Sequence, residues 1–122
     1  MDHFLYRDGA LHAEDVPVAE IAAEVGTPFY LYSTATLARH FRLFDDALEG
    51  LDHLVCYAVK AASNQAILKL LGDMGAGMDV VSGGEYARAR AAGIPGERVV
   101  FSGVGKTREE MAQALAGGVR QF

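Results

Sequence analysis

The sequence predicts an α/β fold built from parallel βα units. Two observations carry this. From residue 54 onward, short apolar, β-prone runs alternate with segments of helical periodicity at a spacing of roughly twenty residues, close to the shortest βα unit that still buries a helix face. The runs are also apolar throughout, as in Val99-Val100-Phe101, which suits a sheet covered on both sides. Two architectures fit these patterns, an open doubly wound sheet and a (β/α)8 barrel. A barrel needs about 250 residues, so a chain of 122 residues supplies only about half of one.

In chain order, Phe4-Leu5-Tyr6 and Leu11-His12 flank Arg7-Asp8-Gly9-Ala10, whose Asp-Gly pair is a hairpin signal. Val18, Ile21, Ala22 and Val25 then recur at helical spacing between Pro17 and Gly26. Pro28 precedes a short apolar and aromatic strand, Phe29-Tyr30-Leu31-Tyr32, and a second helix carries Leu37, Phe41, Phe44 and Leu48 on one stripe, ending near Gly50. A strand over 54–60 leads into a helix marked by Ile67, Leu70, Leu71 and Met74. Next come a strand near 78–82, a short helix with Tyr86, Ala87 and Ala91, a strand at 99–101 and a helix with Met111, Ala114 and Leu115. Val119-Arg120-Gln121-Phe122 reads as the opening of a fourth strand. An edge of that kind invites aggregation, so the expectation is an N-terminal portion of something larger.

Composition bounds the partners. Hydrophobic residues make up 51% and charged ones 22%, enough to bury a core. A net charge of −5 argues against nucleic acid and anionic membrane as partners. Cys56 is the single cysteine, so no internal disulfide forms, which fits a reducing cytoplasm; within an apolar run it reads as a small buried hydrophobe. The start, Met1-Asp2-His3-Phe4, lacks the basic-then-apolar pattern of a signal peptide, and no apolar run approaches membrane-spanning length. A soluble, cytoplasmic protein is expected.

Three glycine clusters imitate phosphate loops. Gly103-Val104-Gly105-Lys106-Thr107 looks like the tail of a P-loop, but the pattern needs glycine where Val100 stands. Gly75-Ala76-Gly77 lacks its third glycine, has Val80 instead, and precedes a strand rather than following one. Gly83-Gly84 opens a helix, where N–H groups can meet an anion, but a tight βα turn accounts for it more simply. Ser82 with Glu85, and Thr107 with Glu110, match the capping box. The four histidines, His3, His12, His40 and His53, show no metal-ligand spacing.

Lys60 and Asp79 are the candidate site residues. In Tyr57-Ala58-Val59-Lys60-Ala61 the strand surfaces at Lys60 with its ammonium in water and its stem packed, or else the lysine is desolvated. Desolvation disfavours an ammonium and leaves an amine nucleophile suited to Schiff-base chemistry. In a parallel βα frame Lys60 lies at the C-terminal end of its strand, the face where barrel enzymes keep their chemistry. Asp79 begins an apolar strand, where an acid has no capping role. Pointing inward it must be paired or neutralised, with Lys60 one strand earlier as candidate partner; at the rim it bonds to backbone.

Four ordered stretches resemble one family. Tyr57-Ala58-Val59-Lys60-Ala61 with Ser63-Asn64 resembles the cofactor-lysine motif of the barrel-type, fold-type III pyridoxal-phosphate-dependent amino-acid decarboxylases. Gly26-Thr27-Pro28-Phe29-Tyr30-Leu31-Tyr32 is similar to that family's lead-in to the barrel, Gly75 through Glu85 to the segment after the first barrel helix, and Val100 through Thr107 to the next strand and turn. Asp79-Val80-Val81-Ser82-Gly83-Gly84-Glu85 together with Ser102-Gly103-Val104-Gly105-Lys106-Thr107 is most like the diaminopimelate decarboxylases.

The resemblance implies the first half of a (β/α)8 barrel, preceded by a hairpin segment that in the family packs on a C-terminal β domain. Residues 1–28 would be the N-terminal hairpin and helix, and 29–122 a partial pyridoxal-phosphate-binding barrel cut at its fourth strand. It implies conversion of meso-2,6-diaminopimelate to L-lysine and carbon dioxide, with pyridoxal 5'-phosphate as cofactor, a small amino acid as substrate and a homodimer in the complete protein. Lys60 would hold the cofactor's aldehyde as a Schiff base and Asp79 would lie close to both; Glu85 sits where the family has an acid, with helix capping as its other reading. The phosphate loop, the acid on the ring nitrogen and the substrate pocket would all lie past the fourth strand, leaving the chain alone inactive. The alternatives are an ornithine or arginine decarboxylase, an alanine racemase, or a non-enzymatic cofactor-binding fragment.

Overall fold

The computed structural model describes residues 2–122, and the chain divides into two units, Met1–Leu43 and Phe44–Phe122. In the first, β1 (Phe4–Arg7) and β2 (Ala10–Ala13) form an antiparallel hairpin. Asp8 and Gly9 between them have φ of 50° and 78°, the left-handed pair that a two-residue turn between twisted strands requires. β3 (Val16–Pro17) adds a third strand after a turn at Glu14. α1 (Val18–Val25) follows, with Pro17 as N-cap and Gly26 as C-cap, as the apolar spacing predicts. Phe29–Tyr32 does not form the expected strand. Neither sheet offers it a partner, and β propensity without a ladder does not make a strand. α2 (Thr34–Asp46) ends before Gly50, with residues 47–50 in turns.

The second unit holds a parallel sheet in the order β4 (Cys56–Ala58), β5 (Gly77–Val80), β6 (Val99–Phe101). α3 (Gln65–Asp73) and α4 (Gly83–Ala91) make the crossovers, and α5 (Arg108–Ala116) follows β6. A parallel bridge from Val100 to Gln121 opens a fourth strand beside β6. Each strand thus joins next to its predecessor. A doubly wound sheet reverses its order at a switch point; a barrel does not, and the order here is that of a barrel segment.

Partners in register across a parallel sheet share a face. Met78, Val80, Val99 and Phe101 lie on the face packed against α3 and α4, each 0% exposed. With Val59, Leu68 and Ile94 they form the core. Cys56, Ala58, Asp79 and Val100 share the opposite face and are only half-buried. The apolar strands had suggested cover on both sides. The helices cover one, and a barrel covers the other only by closing on itself.

Two helices turn differently from their sequence reading. α4 buries Tyr86 and Ala89, followed by Ala92, and exposes Ala87 and Ala91. In α5 Ala114 is buried while Leu115 is 64% exposed.

Candidate functional site

The open face of the parallel sheet and the turns beyond its strands bring the candidate residues together. β4 ends at Ala58, and Val59–Ala61 form a 3₁₀ turn, so Lys60 sits just past the strand rather than on it. Val59 and Tyr57 hold that turn from its two sides. Ala58 is small and lies on the open face beside Asp79. Val59 is 0% exposed and anchors the turn in the core. The Tyr57 hydroxyl donates to the Ala62 carbonyl at 3.3 Å, closing the turn from its far side. Lys60 is left exposed, with no hydrogen-bond or ion-pair partner among the described residues. It is not desolvated here.

The other two lysines are engaged. Lys69 pairs with both oxygens of Asp73 at 3.0 Å on the outside of α3. Lys106, half-buried, donates to the carbonyls of Phe101, at 3.1 Å, and Gly103. Its ammonium also lies 5.4 Å and 6.0 Å from the ring centroids of Phe101 and Phe122, within reach of a cation–π attraction. Lys106 thus fastens the turn after β6, and the resemblance to a phosphate loop there has no counterpart in its geometry.

Asp79 is half-buried on the open face, and its partner is not Lys60 but the Ser102 hydroxyl, which donates to Oδ1 at 2.5 Å. Ser102 follows β6 directly, next to Gly103. A Cβ on Gly103 would run into the backbone of Val81, so only glycine lets the two strand ends approach so closely. Cys56 lies on the same face. Burial, and then the charge of Asp79, push its thiol above the ordinary range, which suits a packed thiol rather than a nucleophile.

Glu85 turns back on its own helix. Its Oε2 accepts from the Val81 N–H at 2.9 Å, and its own N–H donates to Ser82 Oγ at 3.2 Å. This is a cap shifted by one residue from the box, whose second bond goes to the N-cap N–H. The Thr107–Glu110 box forms in full, with Thr107 N–H to Glu110 Oε2 at 2.8 Å and Glu110 N–H to Thr107 Oγ1 at 3.2 Å. Glu110 Oε1 also accepts from the Gly83 N–H at 2.6 Å. That N–H, open to an anion in the sequence, already has one. The Thr107 and Gly83 N–H groups hold the Glu110 carboxyl below its ordinary range. Sequence reasoning found the Thr107–Glu110 box but missed the bonds from Ser102 to Asp79 and from Gly83 to Glu110, whose partners lie on other elements, and the Lys106 contacts that close its own turn. Among the described residues no group of three or more His, Cys, Asp or Glu stands ready for a metal ion, and no helix is long and apolar enough to cross a membrane.

The family model described as pyridoxal-dependent decarboxylase, pyridoxal binding domain, matches residues 34–122. The chain belongs to this family. The matched segment takes in α2 and the parallel sheet, with the Lys60 turn and Asp79, and leaves out the antiparallel hairpin. Diaminopimelate decarboxylase of Pseudomonas fluorescens is 55% identical over 122 residues, 100% of this chain and 29% of the relative. A crystal structure from Aquifex aeolicus matches with a TM-score of 0.91 and 46% identity, over 97% of this chain and 29% of that one. Diaminopimelate decarboxylase from M. jannaschii, solved with L-lysine, matches with a TM-score of 0.86 and 33% identity, over 98% and 29%. The chain therefore spans about 29% of the length of these relatives.

Proposed function

We propose that this chain supplies the cofactor-lysine part of a pyridoxal-phosphate-dependent decarboxylase that converts meso-2,6-diaminopimelate to L-lysine and carbon dioxide. The observation that carries the reading is the contrast among the three lysines. Lys69 and Lys106 hold partners, and Lys60 presents an exposed, unpaired side-chain nitrogen past the C-terminal end of a parallel strand. The residues present suit an aldehyde-bearing cofactor. The turn that carries Lys60 is pinned by Val59 and Tyr57, and no local ion pair occupies the Lys60 side chain. Pyridoxal 5'-phosphate, when bound, supplies the electron sink for the pair left behind as carbon dioxide departs.

In this reading Lys60 would hold the cofactor through its aldehyde, and its side-chain nitrogen, when not so engaged, would be the group able to carry a proton. Asp79, fixed by Ser102, presents a carboxylate on the same face. Glu85 supports the turn after β5 through the Val81 N–H and takes no direct part. The diaminopimelate substrate is favoured over ornithine, arginine or racemisation because relatives 55% and 52% identical over the whole chain carry that name. The reading brings with it a cytoplasmic location and a homodimer in the complete protein.

The test is borohydride reduction of the complete, cofactor-loaded enzyme followed by peptide mapping. The cofactor should be fixed on the peptide containing Lys60; labelling of Lys69 or Lys106 instead would overturn the assignment. The 122 residues alone should release no carbon dioxide from diaminopimelate, and appreciable release by the purified chain would refute the view that the site is completed elsewhere.

A further inference from the structure

Glu110 does more than its cap requires. One oxygen closes the capping box with Thr107, which is all that α5 needs. The other reaches 27 residues back along the chain to the Gly83 N–H at 2.6 Å. Gly83 is the first residue of α4, so this is one of the N–H groups that no helical carbonyl can satisfy. A carboxylate there also meets the positive end of the α4 dipole. Ser82 Oγ caps Glu85, not Gly83, and the Gly83 bond to Glu110 fixes the turn from outside its own element.

The bond belongs to a seam. Ser102 N–H donates to the Val80 carbonyl at 2.9 Å, and Ser102 Oγ holds Asp79. Gly103 lies against the Val81 backbone, and Glu110 takes Gly83. Between residues 79 and 83 the chain passes from the strand that carries Asp79 to the helix behind it. The loop after β6 and the first turn of α5 grip that passage at its two ends, and Glu110 is the grip farthest from Asp79.

We propose that Glu110 is a positioning residue for the face that carries Lys60 and Asp79, acting through the Gly83 N–H to set the turn after β5 and hence the placement of the Asp79 carboxylate. This rests on the reading of that face as the cofactor site. Glutamine at 110 keeps one acceptor oxygen and turns an NH₂ toward the second N–H, so it satisfies the local Thr107 or the distant Gly83, not both.

The experiment compares wild type, E110Q, E109Q and A114G in the complete, cofactor-loaded protein. Glu109 is exposed and Ala114 is buried in α5, so A114G loosens the helix without touching either Glu110 bond. Expected for E110Q are faster amide exchange over 81–84, a changed visible absorption spectrum of the lysine-bound cofactor, and cofactor affinity weakened roughly tenfold, the size of one charge-assisted hydrogen bond. A114G should lower the melting temperature at least as much and leave spectrum and affinity alone, and E109Q should resemble wild type. An E110Q protein that loses thermal stability with spectrum and affinity unchanged, or whose 81–84 amides exchange as in wild type, overturns the proposal and makes Glu110 a helix cap. Should E110Q not fold, E110D, whose carboxylate is too short to span both N–H groups, is read the same way. A wild type that takes no cofactor on Lys60 overturns the underlying reading and this proposal with it. A wild type labelled at Lys60 beside an indifferent E110Q sinks this proposal alone.

Discussion

The two units of the chain are held together by different means. In Met1–Leu43 the buried residues are Ala13 and Ser33, and no large apolar side chain among the described residues is fully covered. Order comes from polar stitching. Glu14 Oε1 accepts from Ser33 Oγ at 2.7 Å and from Ala35 N–H at 2.9 Å, and Ser33 Oγ accepts from Thr36 N–H at 3.0 Å. His3 N–H donates to Thr36 Oγ1 at 2.9 Å. In Phe44–Phe122 the order comes from apolar burial, with Phe101, Leu68, Met78, Val80, Val99 and Val59 all below 2% exposed. The first unit should therefore be sensitive to acid and to single polar changes, the second to cavities.

The largest effect is expected at Phe101. Removing a buried aromatic ring costs about 3–5 kcal/mol, and Phe101→Ala also takes away the ring that stacks on Phe122 and lies under Lys106. Urea unfolding followed by circular dichroism should show a lower midpoint, with amide protection lost across β5 and β6. A small shift would mean that the core is not what orders the second unit. Ser33→Ala comes next. It strips the Thr36 N–H of its acceptor and Glu14 of a donor, at about 1 kcal/mol as for a lost helix N-cap. Faster amide exchange should appear at 35–37 and leave β4–β6 unmoved.

Acid separates the units without mutation. The Ala35 N–H first, and the Ser33 hydroxyl second, hold the Glu14 carboxyl below its ordinary value of 4.5. A carboxyl lowered in the folded state adds stability that is fully present above the unfolded value and is lost as pH falls through the folded one. Exchange at Ala35 should thus accelerate below about pH 4.5, and Glu14→Gln should flatten that profile. Glu110 follows the same sign in the second unit, with the apolar core to fall back on. The smallest effect belongs to Lys69→Ala. Its bond to Asp73 lies on an exposed face, and loss of such a pair costs about 0.5 kcal/mol or less; a fall in unfolding free energy above about 1 kcal/mol in the same urea titration would show that surface pairs matter more in this unit than burial implies.

The same contrast explains what could be read from the sequence. α1 and α3 were legible because their apolar residues recur with helical spacing, and Val99–Phe101 because a short run that is apolar throughout suits a buried strand. The Asp8-Gly9 turn was legible because few residues tolerate its backbone. Phe29–Tyr32 was misread because a strand is a property of two segments, and its composition says nothing of a partner. The face of α4 was misread because alanines at 87, 89, 91 and 92 give no phase. In the site, the motif singled out Lys60 but left both an exposed ammonium and a desolvated amine open; β4 stops two residues before it, and the exposed reading holds. The bonds of Ser102 to Asp79 and of Glu110 to Gly83 escaped because each crosses a gap that spacing along the chain does not encode.

Asp79 has one more consequence, for the register of β5. Side chains alternate across the sheet, so a slip of one residue would turn Asp79 under the helices and bring both Met78 and Val80 out onto the open face. The carboxylate would lose the Ser102 hydroxyl and enter an apolar layer where nothing neutralises it. A misregistered strand is thereby rejected by its own charge. The residue proposed to serve the cofactor also proofreads the pairing of the strand that carries it.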